Sequence, residues 1–135
     1  MLKMKHQQGI PREQLQMLSF DSMISPENPV RFIDSFVEHL DLSKLNFQVQ
    51  VHKKEGRPSF ESKLFLKIYL YGYLNGLRSS RRLEKECTRN IELHWLLHSL
   101  TPNYHSISDF RKNNPEALRN TFKLFVGFLK DAELI

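Results

Sequence analysis

This sequence predicts an all-α fold, a compact bundle of about six helices with a helix-turn-helix-like segment. Three observations predict it. Apolar residues recur at helical spacing in several separate windows, capping residues stand at the starts of those windows, and a single short window alternates in the manner of a strand. The chain has 135 residues, of which 40% are hydrophobic and 26% charged, enough for one core and too few for two ordinary ones. A chain of that composition folds instead of staying disordered.

Residues 1–24 are expected to form an amino-terminal arm and residues 25–135 a helical domain. The arm carries Pro11 and a small apolar group, Leu15, Met17, Leu18 and Phe20, which suits an arm or a short helix packed on the body. The first clear helix starts at Asn28-Pro29, a cap followed by a proline whose missing N–H had no helical partner anyway. Val30, Ile33, Phe36, Val37 and Leu40 then mark one helical face. Asn46 to Val51 alternates, with Phe47, Val49 and Val51 against Gln48 and Gln50, but no second segment offers a strand partner. An extended linker is the expectation there.

Ser59 is expected to cap a helix from about Phe60 to Asn75. It is apolar nearly all round, with a narrow polar strip led by Lys63 and Lys67, so it belongs at the centre of the bundle. Gly72 allows a neighbour to approach closely, and Asn75-Gly76-Leu77 reads as a left-handed C-cap with its hydrophobic contact. Ser79 or Ser80 caps a helix through Thr88, and Asn90 opens another containing Ile91, Leu93, Trp95, Leu96 and Leu97. Thr101 to His105 reads as a loop, with Ser106 capping a turn of helix that has Asp109 at its third position. Asn114-Pro115-Glu116 starts a last helix to about Asp131, whose Leu118, Phe122, Phe125, Val126 and Leu129 form a broad apolar face.

The net charge is +5, and it is unevenly placed. From His52 to Asn90 there are ten basic and four acidic side chains; the remainder holds ten basic and eleven acidic ones. The whole positive excess therefore falls in one central block, which suits a polyanionic partner, and a merely solvated surface suits it equally on composition alone. Within the block the helix after Ser79 is the most informative. At ~100° per residue, Arg81 at zero places Lys85 at ~40°, Arg89 at ~80° and Arg82 at ~100°, with Leu83 and Cys87 at ~200° and ~240°. Such a helix buries Leu83 and Cys87 and turns a basic stripe outward. Like charges one turn apart repel, and a phosphate backbone relieves that repulsion while releasing counterions. The competing reading is a solvated face partly neutralised by an Arg82–Glu86 pair.

Further along, Ser79 to Asn113 suits a helix-turn-helix-like arrangement whose reader helix begins at Ile107. Ile107 and Phe110 would anchor it, leaving Ser108, Arg111, Lys112 and Asn113 for base edges or phosphates.

Other chemistries find little support. One cysteine, Cys87, excludes an intramolecular disulfide and a cysteine-rich zinc site, and it falls on an apolar face where a thiol packs as a small hydrophobe. His94 and His98 have a zinc-compatible spacing, but no further cysteine or carboxylate completes a set, and half-buried helix residues are the simpler reading. Asp21, Asp34, Asp41 and Asp109 show no spacing that demands two-metal chemistry, and no catalytic triad, phosphate loop or dinucleotide fingerprint is present. Tyr69, Tyr71 and Tyr73 spread around a helix and do not form a stacking platform. No signal-length or membrane-length apolar run occurs, so a cytoplasmic, nucleoid-associated location is expected, with neither membrane nor small-molecule substrate as partner.

Arg57-Pro58-Ser59-Phe60 and the run Leu70-Tyr71-Gly72-Tyr73-Leu74-Asn75-Gly76-Leu77-Arg78-Ser79-Ser80-Arg81-Arg82-Leu83-Glu84 resemble the amino-terminal domain of bacterial insertion-sequence transposases of the Asp-Asp-Glu class. The likeness continues through Cys87, Arg89-Asn90-Ile91-Glu92, Trp95-Leu96 and Ile107-Ser108-Asp109-Phe110-Arg111, covering about Phe20 to the carboxyl terminus. The resemblance implies a domain that binds the terminal inverted repeats of a mobile element in double-stranded DNA. It implies a ribonuclease-H-like catalytic domain beyond Ile135, so this chain is expected to be non-catalytic on its own. No cofactor is expected within it, a divalent metal such as magnesium belonging to the catalytic domain. Arg78, Arg81, Arg82, Lys85 and Arg89 are the expected phosphate contacts, and Ser108, Arg111 and Lys112 the candidates for sequence readout. A second copy of the chain or a full-length transposase is the expected protein partner. Two rival functions are a protein-interaction module working through Leu118 to Leu129 and a free-standing repressor of transposition.

Overall fold

Capping side chains start most of the helices, because each can accept a bond from an N–H that has no partner inside its own helix. The computed structural model describes residues 6–45, 47 and 60–133, and among them it contains seven α-helices, one 3-10 turn and no strand. Apart from Phe47 the strand-like window Asn46 to Val51 lies outside the described residues, as do Lys53, Lys54, Arg57 and Ser59; the helix expected to follow a Ser59 cap instead starts at Ser62, with Glu61 at the cap position and no side-chain cap bond.

Helix α1 (Phe20–Met23) is a single turn closed by a Ser19/Ser22 capping box. Its attachment was not legible in the sequence. Arg31 donates to the Asp21 carboxylate (2.9 Å) and to the carbonyls of Asp21, Ile24 and Ser25, while its guanidinium lies over the Trp95 ring at 4.9 Å. Trp95 Nε1 also donates to Asp21. The segment before α1 is solvent-exposed, including Leu15 and Met17, so of the expected apolar group only Phe20 makes a ring contact, with the edge of His94, while Ile24 at the end of the arm is buried in the core.

Helix α2 (Pro29–Glu38) begins as expected, with Asn28 Oδ1 accepting from Val30 N–H at 2.9 Å. It buries Val30, Ile33 and Val37. A 3-10 turn at Leu42–Leu45 follows.

Helix α3 (Ser62–Asn75) is the central element, with Leu64, Phe65, Leu66, Ile68, Leu70 and Tyr71 all buried. Its polar strip is turned toward α2. Lys67 is buried and paired with both Asp34 and Glu38 of α2 at 2.8 Å each, and Lys63 bonds the Glu38 carbonyl. Two cations of the basic block are therefore committed to holding α2 on α3. Gly76 closes the helix at φ 69, and Leu77 N–H bonds back to Gly72 at 2.9 Å, the expected left-handed cap. Gly72 is required by that closure, because a Cβ there would sit 2.6 Å from the Leu77 carbonyl oxygen and 3.1 Å from Leu83.

Helices α4 (Ser80–Arg89) and α5 (Ile91–Leu97) share Asn90, which ends one and caps the next by accepting from Glu92 N–H. Helix α6 spans Tyr104–Asn113 and α7 Pro115–Asp131. The cap of α6 is Asn103, not Ser106: Asn103 Oδ1 accepts from Ser106 N–H at 2.9 Å. Asn103, four residues after a left-handed stretch (His98 and Ser99, φ 53 and 63), stands in extended backbone with an amide oxygen able to cap, so the helix forms earlier than Ser106 would allow. Phe110 of α6 stacks on Phe65 at 5.0 Å, and Phe125 of α7 meets Phe36 at 5.1 Å, joining four helices in one core.

Candidate nucleic-acid interface

Helix α4 carries the basic stripe, and its orientation is fixed from inside. Leu83 and Cys87 are completely buried, as their wheel positions require, and full burial of a side chain such as Leu83 contributes roughly 1.5–3 kcal/mol. Burial pushes the Cys87 thiol up to about 12, with Glu84 and Glu86 adding to it, so this cysteine is a packing residue and no nucleophile. Ser79 Oγ accepts from Arg82 N–H at 3.1 Å and sets the helix start.

Arg81, Arg82, Lys85 and Arg89 are all exposed on the opposite face. Their surroundings differ. Arg89 donates two hydrogen bonds to Glu86, at 2.7 and 3.1 Å, so the pair that neutralises part of the stripe is Arg89–Glu86 and not the expected Arg82–Glu86. Its partner is held in place: Asn90 and Arg89, in that order, keep the Glu86 carboxyl below the usual carboxylate range. Arg82 and Lys85 have no ion-pair partner among the described residues. The Arg81 guanidinium lies over the Tyr104 ring at 4.6 Å, a contact that orients it without cancelling its charge.

Tyr104 belongs to α6, and a second contact ties the same two helices. The Glu84 carboxylate accepts from Tyr104 N–H, satisfying a free donor at the positive end of α6. The outward face of α6 consequently begins beside the stripe of α4. With Tyr104 at zero, Ser108, Lys112 and His105 fall at ~40°, ~80° and ~100°, while buried Ile107 and Phe110 fall at ~300° and ~240°. Ser108, Lys112 and His105 are exposed, and Ile107 and Phe110 are buried anchors as expected. His105 was not among the candidates, although its place on the strip follows directly once the helix starts at Tyr104.

The other two predicted residues stand apart. Arg78 lies in the α3–α4 connection and Arg111 on the edge of α6 nearest α7, and both line one cleft with Tyr69, Tyr73 and Phe122. The Tyr69 hydroxyl donates to the Ile107 carbonyl, and its ionisation is pushed up to about 12 by burial, with Arg111 pulling the other way. The eight predicted cations and readout residues thus divide into a paired surface on α4 and α6 and a separate cleft. The α5–α6 connection, residues 98–103, is longer than the 3–4-residue turn of a helix-turn-helix motif.

A buried-edge network, also unforeseen, locks the α4–α5 corner. Tyr71 donates to Glu92 at 2.6 Å, Asn90 donates to both Tyr71 and Glu86, and Asn28 donates to the other Glu92 oxygen at 2.6 Å. The angle of the basic helix is thereby referred to α2 and α3. His98 adopts the left-handed C-cap of α5, so it leaves the regular helical spacing from His94, and no group of three or more His, Cys, Asp or Glu among the described residues comes together as a metal site. No helix among them is long and apolar enough to cross a membrane.

These features define an all-helical module with a cationic surface on two adjoining helices. The chain belongs to the family described as Transposase domain (DUF772), which matches residues 18–113, from the segment leading into α1 to the end of α6. No curated protein and no solved structure matches it.

Proposed function

We propose that this chain is the DNA-binding domain of an insertion-sequence transposase of the Asp-Asp-Glu class, gripping the terminal inverted repeats of its element in duplex DNA. The observation that carries this reading is the joint surface of α4 and α6: Arg81, Arg82 and Lys85 exposed over a fully buried Leu83 and Cys87, with Ser108 and Lys112 on the adjoining helix. Membership of a transposase family supplies the biological setting. In this reading the α4 cations hold phosphates, and α6, a helix-turn-helix-like reader with a lengthened turn, presents Ser108, His105 and Lys112 to base edges. The rival protein-interaction reading has a reduced surface on α7, because Leu118, Phe125 and Leu129 are buried within the chain's own core and Leu124 and Phe128 are left exposed.

A salt titration of binding to duplex DNA tests the proposal. Neutralising four or five phosphates gives a slope of about −4 in log affinity against log salt. Joint replacement Arg81→Gln, Arg82→Gln and Lys85→Gln should weaken binding to every duplex and flatten the slope by about 3. Lys112→Gln or Ser108→Ala should instead reduce preference for the element end over random duplex. Weak binding with a slope near zero, or a triple variant that binds as the parent does, overturns the assignment.

A further inference from the structure

Where α3 passes into α4, a cleft of about 280 Å3 opens between that connection, α6 and α7. Arg78 and Arg111 bring two guanidinium groups to it, and neither has an ion-pair partner among the described residues. Tyr69, Tyr73 and Phe122 bring ring surface, and no acidic side chain lines it. Tyr73 is 55% exposed, an unusual state for a tyrosine on the central helix, and its ring lies 5.4 Å from that of Phe122.

We propose that this cleft holds one unstacked nucleotide of a DNA strand, its ring against Tyr73 and Phe122 and its phosphate between Arg78 and Arg111. The inference rests on the reading that α4 and α6 grip DNA. Two guanidinium groups without a carboxylate call for an anion, and arginine's planar fork suits phosphate oxygens. Exposed aromatic faces beside such a fork suit a base, since every base has a ring face to stack. The volume lies just below the ~300–1,000 Å3 range of pockets for drug-sized ligands, which admits one ring with its phosphate and excludes a duplex. Position makes the strand the source. Arg78 immediately precedes Ser79, the cap of α4, so a backbone followed by Lys85 and Arg81 arrives at the cleft mouth. Because removing a base from the stack costs least where it is already unpaired, the cleft should select distorted or extrahelical positions.

The test uses the full chain and two duplexes of the same sequence, one with 2-aminopurine paired and one with it as a single extrahelical base. Fluorescence anisotropy reports total binding, and 2-aminopurine emission reports stacking. The extrahelical duplex should bind about tenfold tighter, with its emission quenched on binding. Tyr73→Ala, at an exposed side chain, should abolish that preference and leave affinity for the paired duplex within about twofold, and Arg111→Gln should abolish the preference as well. Circular dichroism and the thermal midpoint check that both variants fold. Equal affinity for the two duplexes, or a preference that survives Tyr73→Ala, overturns the cleft assignment while the α4 grip stands. Failure to bind either duplex overturns both.

Discussion

Replacing Gly72 by alanine makes one chemical change with two opposed consequences. In a helix interior alanine is favoured over glycine by about 1 kcal/mol, so propensity alone predicts stabilisation. At Gly72, however, the new Cβ lands 2.6 Å from the Leu77 carbonyl oxygen and 3.1 Å from Leu83 Cδ2. The oxygen is backbone, in a cap closed by the Leu77-to-Gly72 hydrogen bond and the left-handed Gly76, so it has no rotamer by which to move aside. Overpacking of this kind costs about 1–3 kcal/mol, and the upper end applies where main chain must shift. The net expectation is a loss of about 2 kcal/mol, or about 8 °C in Tm for a chain of this size. Gly127 in α7 is the internal control, because a Cβ there meets nothing within 4 Å. Gly127→Ala should gain about 0.5–1 kcal/mol. Urea denaturation of both variants measures the contrast. DNA affinity should also fall in Gly72→Ala, although no phosphate contact is touched, because the Leu77–Ser79 connection sets the start of α4. A Gly72→Ala protein as stable as the parent would refute the close approach of that connection to α3.

Three further outcomes follow from the same contacts. Glu86→Gln removes the acceptor charge that occupies Arg89 while leaving an oxygen for Asn90, so duplex affinity should rise and the salt slope steepen by up to about 0.9; unchanged binding would show that Arg89 lies off the DNA path. Glu38 is held below its ordinary 4.5 chiefly by its hydrogen bond to Lys67, and Asp21 below 3.8 by its bonds to Trp95 and Arg31. Each depressed carboxylate adds stability above its unfolded value that is lost as pH falls through the folded one, so Tm should hold from pH 7 to about 5 and drop below about 4.5. Lys67→Met should shrink that acid limb, and an identical limb in parent and variant would count against the pairing. Cys87 should resist a thiol reagent at pH 8 in the native protein and react at once in denaturant; rapid native labelling would contradict its burial.

The sequence by itself determined what is local. Helical periodicity, the Asn28, Ser79 and Asn90 caps, the Gly76 closure and the division of α4 into a buried Leu83–Cys87 side and a cationic side all depend on residues within one or two turns of each other, and the structure bears them out. Charge counting went astray where a partner lay far along the chain. Lys63 and Lys67 look like a polar strip until α2 places Asp34 and Glu38 against them, and Arg89 rather than Arg82 meets Glu86, whose carboxylate is held by Asn90, itself bonded to Tyr71 of α3. Likewise the split of Arg111 from Ser108 and Lys112 depends on where α7 and the α3–α4 connection lie, and the setting of Arg81 depends on a tyrosine from another helix. A helical wheel gives the direction in which a side chain leaves its own axis. Only the packing of helices distant in sequence decides what stands in that direction, and so which cations remain open to a partner.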